Sequence, residues 1–347
     1  MKKNSTCFLI LLLMIGSVSA MKNKVAQSGM TYLAISMSSR ETAMGDAGTA
    51  ITKGINGLWH NPAVLADIKR FSIALNQVDW LIDTKLYGTA FAASLGKWGA
   101  IGVDITYMDY GEIMGTRVVD KSVDYRGFIL TGDIGVEDDA VGIAYARRIN
   151  DKFSLGVKVK RLHERLGRAS YVVSEYEDPT TGEKIRTRKE KEWKLNDWGL
   201  DIGTTYDIGW KGLTFAMAMQ NFSRDMKYWN EEFQTPMVLR MGMAMDVTNL
   251  FMDRSKAMGL LISVDALHPN DHTERMHVGA ELSYLENYCL RAGYKFNHEV
   301  ESLTAGFGAQ FNVSGLQGSI DYAYGTADYF EDVHRFSIIF SDRKSVV

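Results

Sequence analysis

The chain has almost no cysteine and almost no proline, two and four residues respectively in 347. Cys7 lies in the first twenty residues, so removal of that segment leaves Cys289 alone and excludes an internal disulfide. Proline deletes a ladder hydrogen bond wherever it enters a strand, and its scarcity leaves room for long strands. No run beyond the N-terminus reaches about 18 consecutive apolar residues, which excludes a membrane-spanning helix. Neither sign of charge dominates, with 39 basic and 42 acidic residues and a net charge of −3. That balance gives no support for nucleic-acid binding. A Gly-x-Ser-x-Gly elbow, a His-Glu-x-x-His zinc motif, a phosphate loop and a dinucleotide fingerprint are all missing. The expectation is a protein that is not an enzyme and uses no cofactor or metal.

What is present is alternation. The clearest segment sets Trp198, Leu200, Ile202, Thr204, Tyr206 and Ile208 against Gly199, Asp201, Gly203, Thr205 and Asp207. Successive side chains of a strand point to opposite faces, so a period of two gives one apolar and one wet face. Ahead of these segments stand Lys2 and Lys3, an apolar run over 8–15 and Val18-Ser19-Ala20. This is the pattern of a secretory signal peptide, with cleavage expected after Ala20. A lipoprotein reading of Cys7 is disfavoured because Asn4-Ser5-Thr6 precedes it. Loss of Lys2 and Lys3 takes 39 basic residues to 37 against 42 acidic, a net charge of −5. Export followed by repeated amphipathic strands is the signature of an all-β, antiparallel transmembrane barrel in a bacterial outer membrane.

Strands are predicted over 71–78, 86–95, 98–108, 130–149, 152–162, 196–208 and 212–221. They continue over 236–247, 257–267, 273–285, 288–296, 301–312, 315–324 and 333–341. The segment 130–149 is taken as one strand because bacterial barrels close with an even count. Tight turns such as Gly96-Lys97, Asn150-Asp151 and Glu286-Asn287 alternate with long connections. Short turns in the periplasm and long loops outside give about fourteen strands with both ends periplasmic. The organisation read from this is a signal peptide over 1–20, a plug or hatch over 21–70, the barrel over 71–341 and a tail over 342–347.

Parity assigns the faces. Ile101, Val103 and Ile105, Leu155, Val157 and Val159, and Met237, Leu239, Met241, Met243 and Met245 face lipid. Across the pleat lie Asp104, Lys158, Lys160, Asp201, Arg240, Asp246, Asp265, Glu281, Arg291, Lys295, Asp321 and Arg335. An Arg or Lys at the lipid midplane costs about 2–4 kcal/mol, so these charges are assigned to the lumen. Six are acidic and six basic. Ion-selective pores show rings of one sign, so the balance favours a paired network in a plugged or narrow barrel. Trp80, Trp98, Trp198 and Trp210 stand at strand ends, where aromatic girdles sit. A soluble sandwich would need a second sheet to cover the apolar face.

Two surface features invite a sharper reading. His268 and His272, near Asp271 and His277, have a spacing a metal could use, although a solvated loop is the simpler expectation. The outer loop around Asp178-Pro179-Thr180-Thr181-Gly182 reads as a protruding hairpin whose return arm carries Lys184, Arg186, Arg188, Lys189 and Lys191. Such a charge run suits anionic lipopolysaccharide headgroups or an acidic protein partner equally well. Cys289 shares the lumen parity of Arg291 and is expected to be a small buried residue.

The hatch carries Met44-Gly45-Asp46-Ala47 and then Leu58-Trp59-His60-Asn61-Pro62-Ala63. With Ala146-Arg147-Arg148, Leu290-Arg291-Ala292-Gly293-Tyr294, Asp321-Tyr322-Ala323-Tyr324 and His334-Arg335-Phe336, this resembles the PorV/PorQ family of FadL-like outer-membrane barrels. The chain departs from the pattern where His60 intervenes between Trp59 and Asn61, and where residues continue past Phe340. The resemblance implies an N-terminal plug containing Met44, Gly45, Asn61, Pro62 and Ala63. PorV-type members are partners in type IX protein secretion, whereas FadL-type members pass long-chain fatty acids or other hydrophobic molecules. The expectation is a PorV-like component of secretion or surface attachment that docks exported cargo or secretion-system proteins. The alternative is a FadL-like transporter with a hydrophobic ligand.

Overall fold

A computed structural model describes residues 27–342 except 181, 183, 252–257 and 314. The signal peptide, its cleavage point and the tail beyond Asp342 lie outside the described residues. No described helix is long and apolar enough to cross a membrane; the crossing elements are strands. In chain order these are β1 (Phe71–Asp79), β2 (Lys85–Ser94), β3 (Ala100–Asp109), β4 (Met114–Val118), β5 (Phe128–Asp133) and β6 (Glu137–Asn150). Then follow β7 (Phe153–Glu177), β8 (Lys184–Asp207), β9 (Thr214–Phe222), β10 (Met226–Lys227), β11 (Glu232–Phe233) and β12 (Val238–Asp246). The last are β13 (Met258–Pro269), β14 (Arg275–Tyr284), β15 (Tyr288–Phe296), β16 (Glu301–Val313), β17 (Leu316–Ala327) and β18 (Val333–Asp342).

Fourteen of them form one closed antiparallel barrel, sealed where β1 pairs β18 from Ser72↔Ser341 to Asp79↔His334. Closure leaves no unpaired sheet edge within the membrane, where an unsatisfied backbone group is costly. Ala74, Ala90, Ala92, Ala144 and Ala146 point inward and are buried, whereas Ile101, Val103 and Ile105 are exposed on the outward face. Small residues inside leave room for a hatch, and β-branched residues outside suit a pleated surface in lipid. Trp98 and Trp210 lie exposed at strand ends, whereas Trp198, equally exposed, stands within the extended β8 and not at its end. Trp80 does not join them: it turns inward onto the upper lumen cluster, with the Arg335 guanidinium 5.6 Å from its ring.

Two predicted boundaries are corrected. The segment 130–149 is not one strand, because β5 pairs with β4 in a hairpin outside the barrel and only β6 enters the wall. Gly132 and Gly135, at φ +88° and +66°, break the run between them. The strands predicted over 152–162 and 196–208 extend instead to 25 and 24 residues, so the outer loop is a continuation of β7 and β8. Above the membrane both faces are wet, and the period-two signal that marks a half-buried strand disappears.

The segment 27–70 lies inside the barrel. It holds 3-10 turns at Thr31–Ala34, Gly54–Leu58 and Pro62–Asp67, and the short helix α1 (Ser39–Ala43). Ser38 stands at the helix N-cap with its hydroxyl bonded to the Glu41 carboxylate. Asn61 caps the last turn, its Oδ1 accepting from the Ala63 amide at 3.1 Å, and Pro62 supplies a first residue that needs no amide partner. The hatch is wedged between opposite walls. On one side the stretch 43–45 presses on β14, β15 and β16, where a Cβ at Gly293 would collide with the Gly45 nitrogen. On the other, Asn61-Pro62-Ala63 press on β7 and β8, where a Cβ at Gly203 would collide with the Asn61 Oδ1. Glycine at these two wall positions is what allows the backbones to approach.

Candidate functional site: the barrel interior

The lumen divides into three levels. At the outer mouth, Met30, Tyr32 and Met37 of the hatch meet Val78, Leu86, Met108, Leu162, Met226 and Val333 in a buried apolar cluster. The loop between β9 and β12 folds over it as a lid. Met226 enters the cluster, Phe233 covers Gly29, and the Gly29 amide donates to the Gln234 carbonyl at 3.0 Å. Glu164 ties these parts together, accepting from the Met30 amide at 3.1 Å and from the Tyr228 hydroxyl at 2.6 Å. Burial and that hydrogen bond push the Tyr228 phenol up, so it remains a donor.

The middle level is a charge network. Eleven of the twelve lumen charges expected from parity are buried; Asp246 is half-buried and accepts from the Thr248 amide at 3.0 Å. Lys158 pairs with Asp104 at 2.7 Å and Lys160 with Asp201 at 2.8 Å. Arg291 reaches Glu281 and Asp321, each at 2.6 Å. The hatch joins in, with Arg40 on Glu281 at 2.9 Å, Asp46 on Arg240 at 3.1 Å and the Thr49 hydroxyl on Asp265 at 2.6 Å. Glu301 completes the network, holding Lys295 at 2.8 Å and Arg335 at 2.7 Å. Parity places Glu301 with lipid-facing Leu303, but a register shift between Glu301 and Thr304 turns it inward.

Toward the periplasm, the hatch leaves a cavity of about 780 Å³ against the wall, with Arg40, Glu281, Cys289, Arg291, Gln310 and Gln317 in its lining. Cys289 is buried there.

Outside the mouth, β7 and β8 present two different faces. Lys184 and Arg186 pair with Glu175 at 3.4 and 2.6 Å on the outward face, which also carries Arg188, Glu190 and Glu192. The inward face carries Tyr171, Lys189, Lys191 and Trp193. Trp229 of the lid packs on it, 5.8 Å from Tyr171 and 5.5 Å from Trp193, with Lys191 at 4.1 Å from Trp193 and 4.0 Å from Trp229. His268 lies near the end of β13 with Glu274 at 3.6 Å, His272 lies in the following loop with Asp271 at 2.7 Å, and His277 is buried in the lumen. No group able to hold a metal occurs among the described residues.

No protein-family model and no curated protein matches the chain. Solved structures do. The CymD monoaromatic hydrocarbon channel gives a TM-score of 0.54 at 12% identity, covering 88% of this chain and 97% of that one. The Pseudomonas putida toluene transporter TodX gives 0.51 at 13% identity, covering 88% and 97%. A TodX deltaS2S3 mutant channel gives 0.53 at 12%, covering 88% and 98%. At these identities the likeness establishes the fold, an outer-membrane β-barrel.

Proposed function

We propose that the barrel passes hydrophobic small molecules inward across the outer membrane, the FadL-like reading in preference to the PorV-like one. The observation that carries it is the buried apolar cluster at the mouth, in which Met30 and Met37 of the hatch and Met226 of the lid pack against Met108 of the wall. Unbranched, polarisable methionines repack readily around apolar guests of varied shape, so a cluster held shut by the hatch and lid can open to one when they move. The aromatic inward face of the hairpin leads down to it. CymD is named a monoaromatic hydrocarbon channel and TodX a toluene transporter, which supports the same substrate class. A docking role for the hairpin gains less support, because Lys184 and Arg186 are engaged by Glu175.

Passage requires the hatch to move, since it is wedged across the lumen. The Ser39 and Ser337 hydroxyl oxygens lie 2.8 Å apart, so cysteines there in a Cys289→Ser background are placed to pin α1 to β18. Cells expressing the variant are expected to take up labelled toluene or a fatty acid when it is reduced, and to lose uptake when it is oxidised. Equal uptake in both states would remove hatch motion from the mechanism. Mass spectrometry of the barrel purified gently from its membrane separates the two functions: a bound hydrophobe supports transport, and a stoichiometric secreted protein without one overturns it.

A further inference from the structure

Asp138 and Glu164 are register partners on β6 and β7, 2% and 7% exposed, with both side chains on the lumen side. Directly opposed residues hold their Cβ atoms about 4.5–5.5 Å apart. The outward-facing residues at this level are Tyr107, Asp139, His163 and Asn196, so the pair sits at the outer rim of the apolar belt. Its strand neighbours are Met108 on β3 and Leu195 on β8. Tyr32 from the hatch donates to the Asp139 carbonyl, Tyr110 to the Asp138 carboxylate and Tyr228 from the lid to Glu164. No cation is bonded to either carboxylate among the described residues, and Asp138 Oδ1 has no hydrogen-bond partner. Two buried carboxylates in this setting cannot both stay ionised without cost.

We propose that the facing carboxyls of Asp138 and Glu164 form a pH-sensitive latch, with Asp138 as the group that takes up the proton, holding the hatch's outer end and the lid over the mouth. While Asp138 is protonated, Glu164 keeps the Met30 amide and the Tyr228 hydroxyl. Loss of the proton leaves two like charges facing each other, and the contacts they support separate. Burial raises the Asp138 carboxyl to about 7, opposed by the Tyr110 hydroxyl and reinforced by Glu164 and Asp139. Because the folded value lies above the unfolded one, the stabilisation is full at low pH and is lost as pH rises through about 7.

The latch extends the transport reading, but its test reads the hatch and not uptake, so each can fail alone. A spin label at Ser28→Cys in a Cys289→Ser background, on the whole barrel in detergent micelles, reports the mobility of the hatch end. The expected result is an immobile spectrum below neutral pH and a growing mobile fraction above it, with one transition. Asp138→Asn should abolish the transition and keep the label immobile; should that variant not fold, Glu164→Gln removes one charge of the same pair and carries the same expectation. A wild-type spectrum independent of pH, or a transition that persists unchanged in a folded variant, overturns the proposal.

Discussion

Lys158 shows how single residues bind hatch to wall. It is 3% exposed, and its ammonium donates to Asp104 at 2.7 Å and to the Leu58 carbonyl at 2.6 Å. Lys158→Met should destabilise the protein by about 3–5 kcal/mol, since it strands a buried carboxylate. Adding Asp104→Asn should recover part of that loss, measured by thermal unfolding in detergent. Gly203→Val tests the opposite kind of contact. A side chain there meets Asn61 Oδ1, so the hatch should undock while the barrel closes, giving a rise in bilayer conductance over wild type. At this scale the lumen charges were legible because the lipid face forbids them. Glu301 was not, since a bulge reverses parity, and the hatch partners Arg40 and Asp46 lie where no period operates.

Among the elements, β7 and β8 divide into a membrane half that the sequence marks by alternation and an outer half that it does not. The outer half alternates aromatic-basic with mixed charge, a pattern invisible to a search for apolar rows. Its inward face is the approach to the mouth. Excision of 168–192 should therefore leave a folded barrel with reduced uptake of hydrophobic substrate. Uptake equal to wild type in a correctly assembled variant would show that the approach surface is dispensable. The β4–β5 hairpin was hidden for a related reason: the segment 130–149 was read as one strand through two positive-φ glycines.

For the whole molecule, strand number, antiparallel order and closure follow from the alternation of short turns with long connections, and they agree with the observed barrel. The path of the hatch does not follow from any pattern, because it is set by where glycines thin the wall. That path runs from the lid at Gln234, through the charge network, to β1 at the periplasmic rim. Gln27 is exposed at the outer end. A cysteine placed there should react with a membrane-impermeant reagent on intact cells, and failure to react while lysed cells do would reverse the orientation.

This direction of threading has a mechanical consequence. The described hatch is continuous with a wall strand at the periplasmic side, and its first described residues lie outside. A pull on the hatch from that side is therefore carried by β1 and its eight-residue seal with β18, so the hatch yields only as far as the barrel wall lets it.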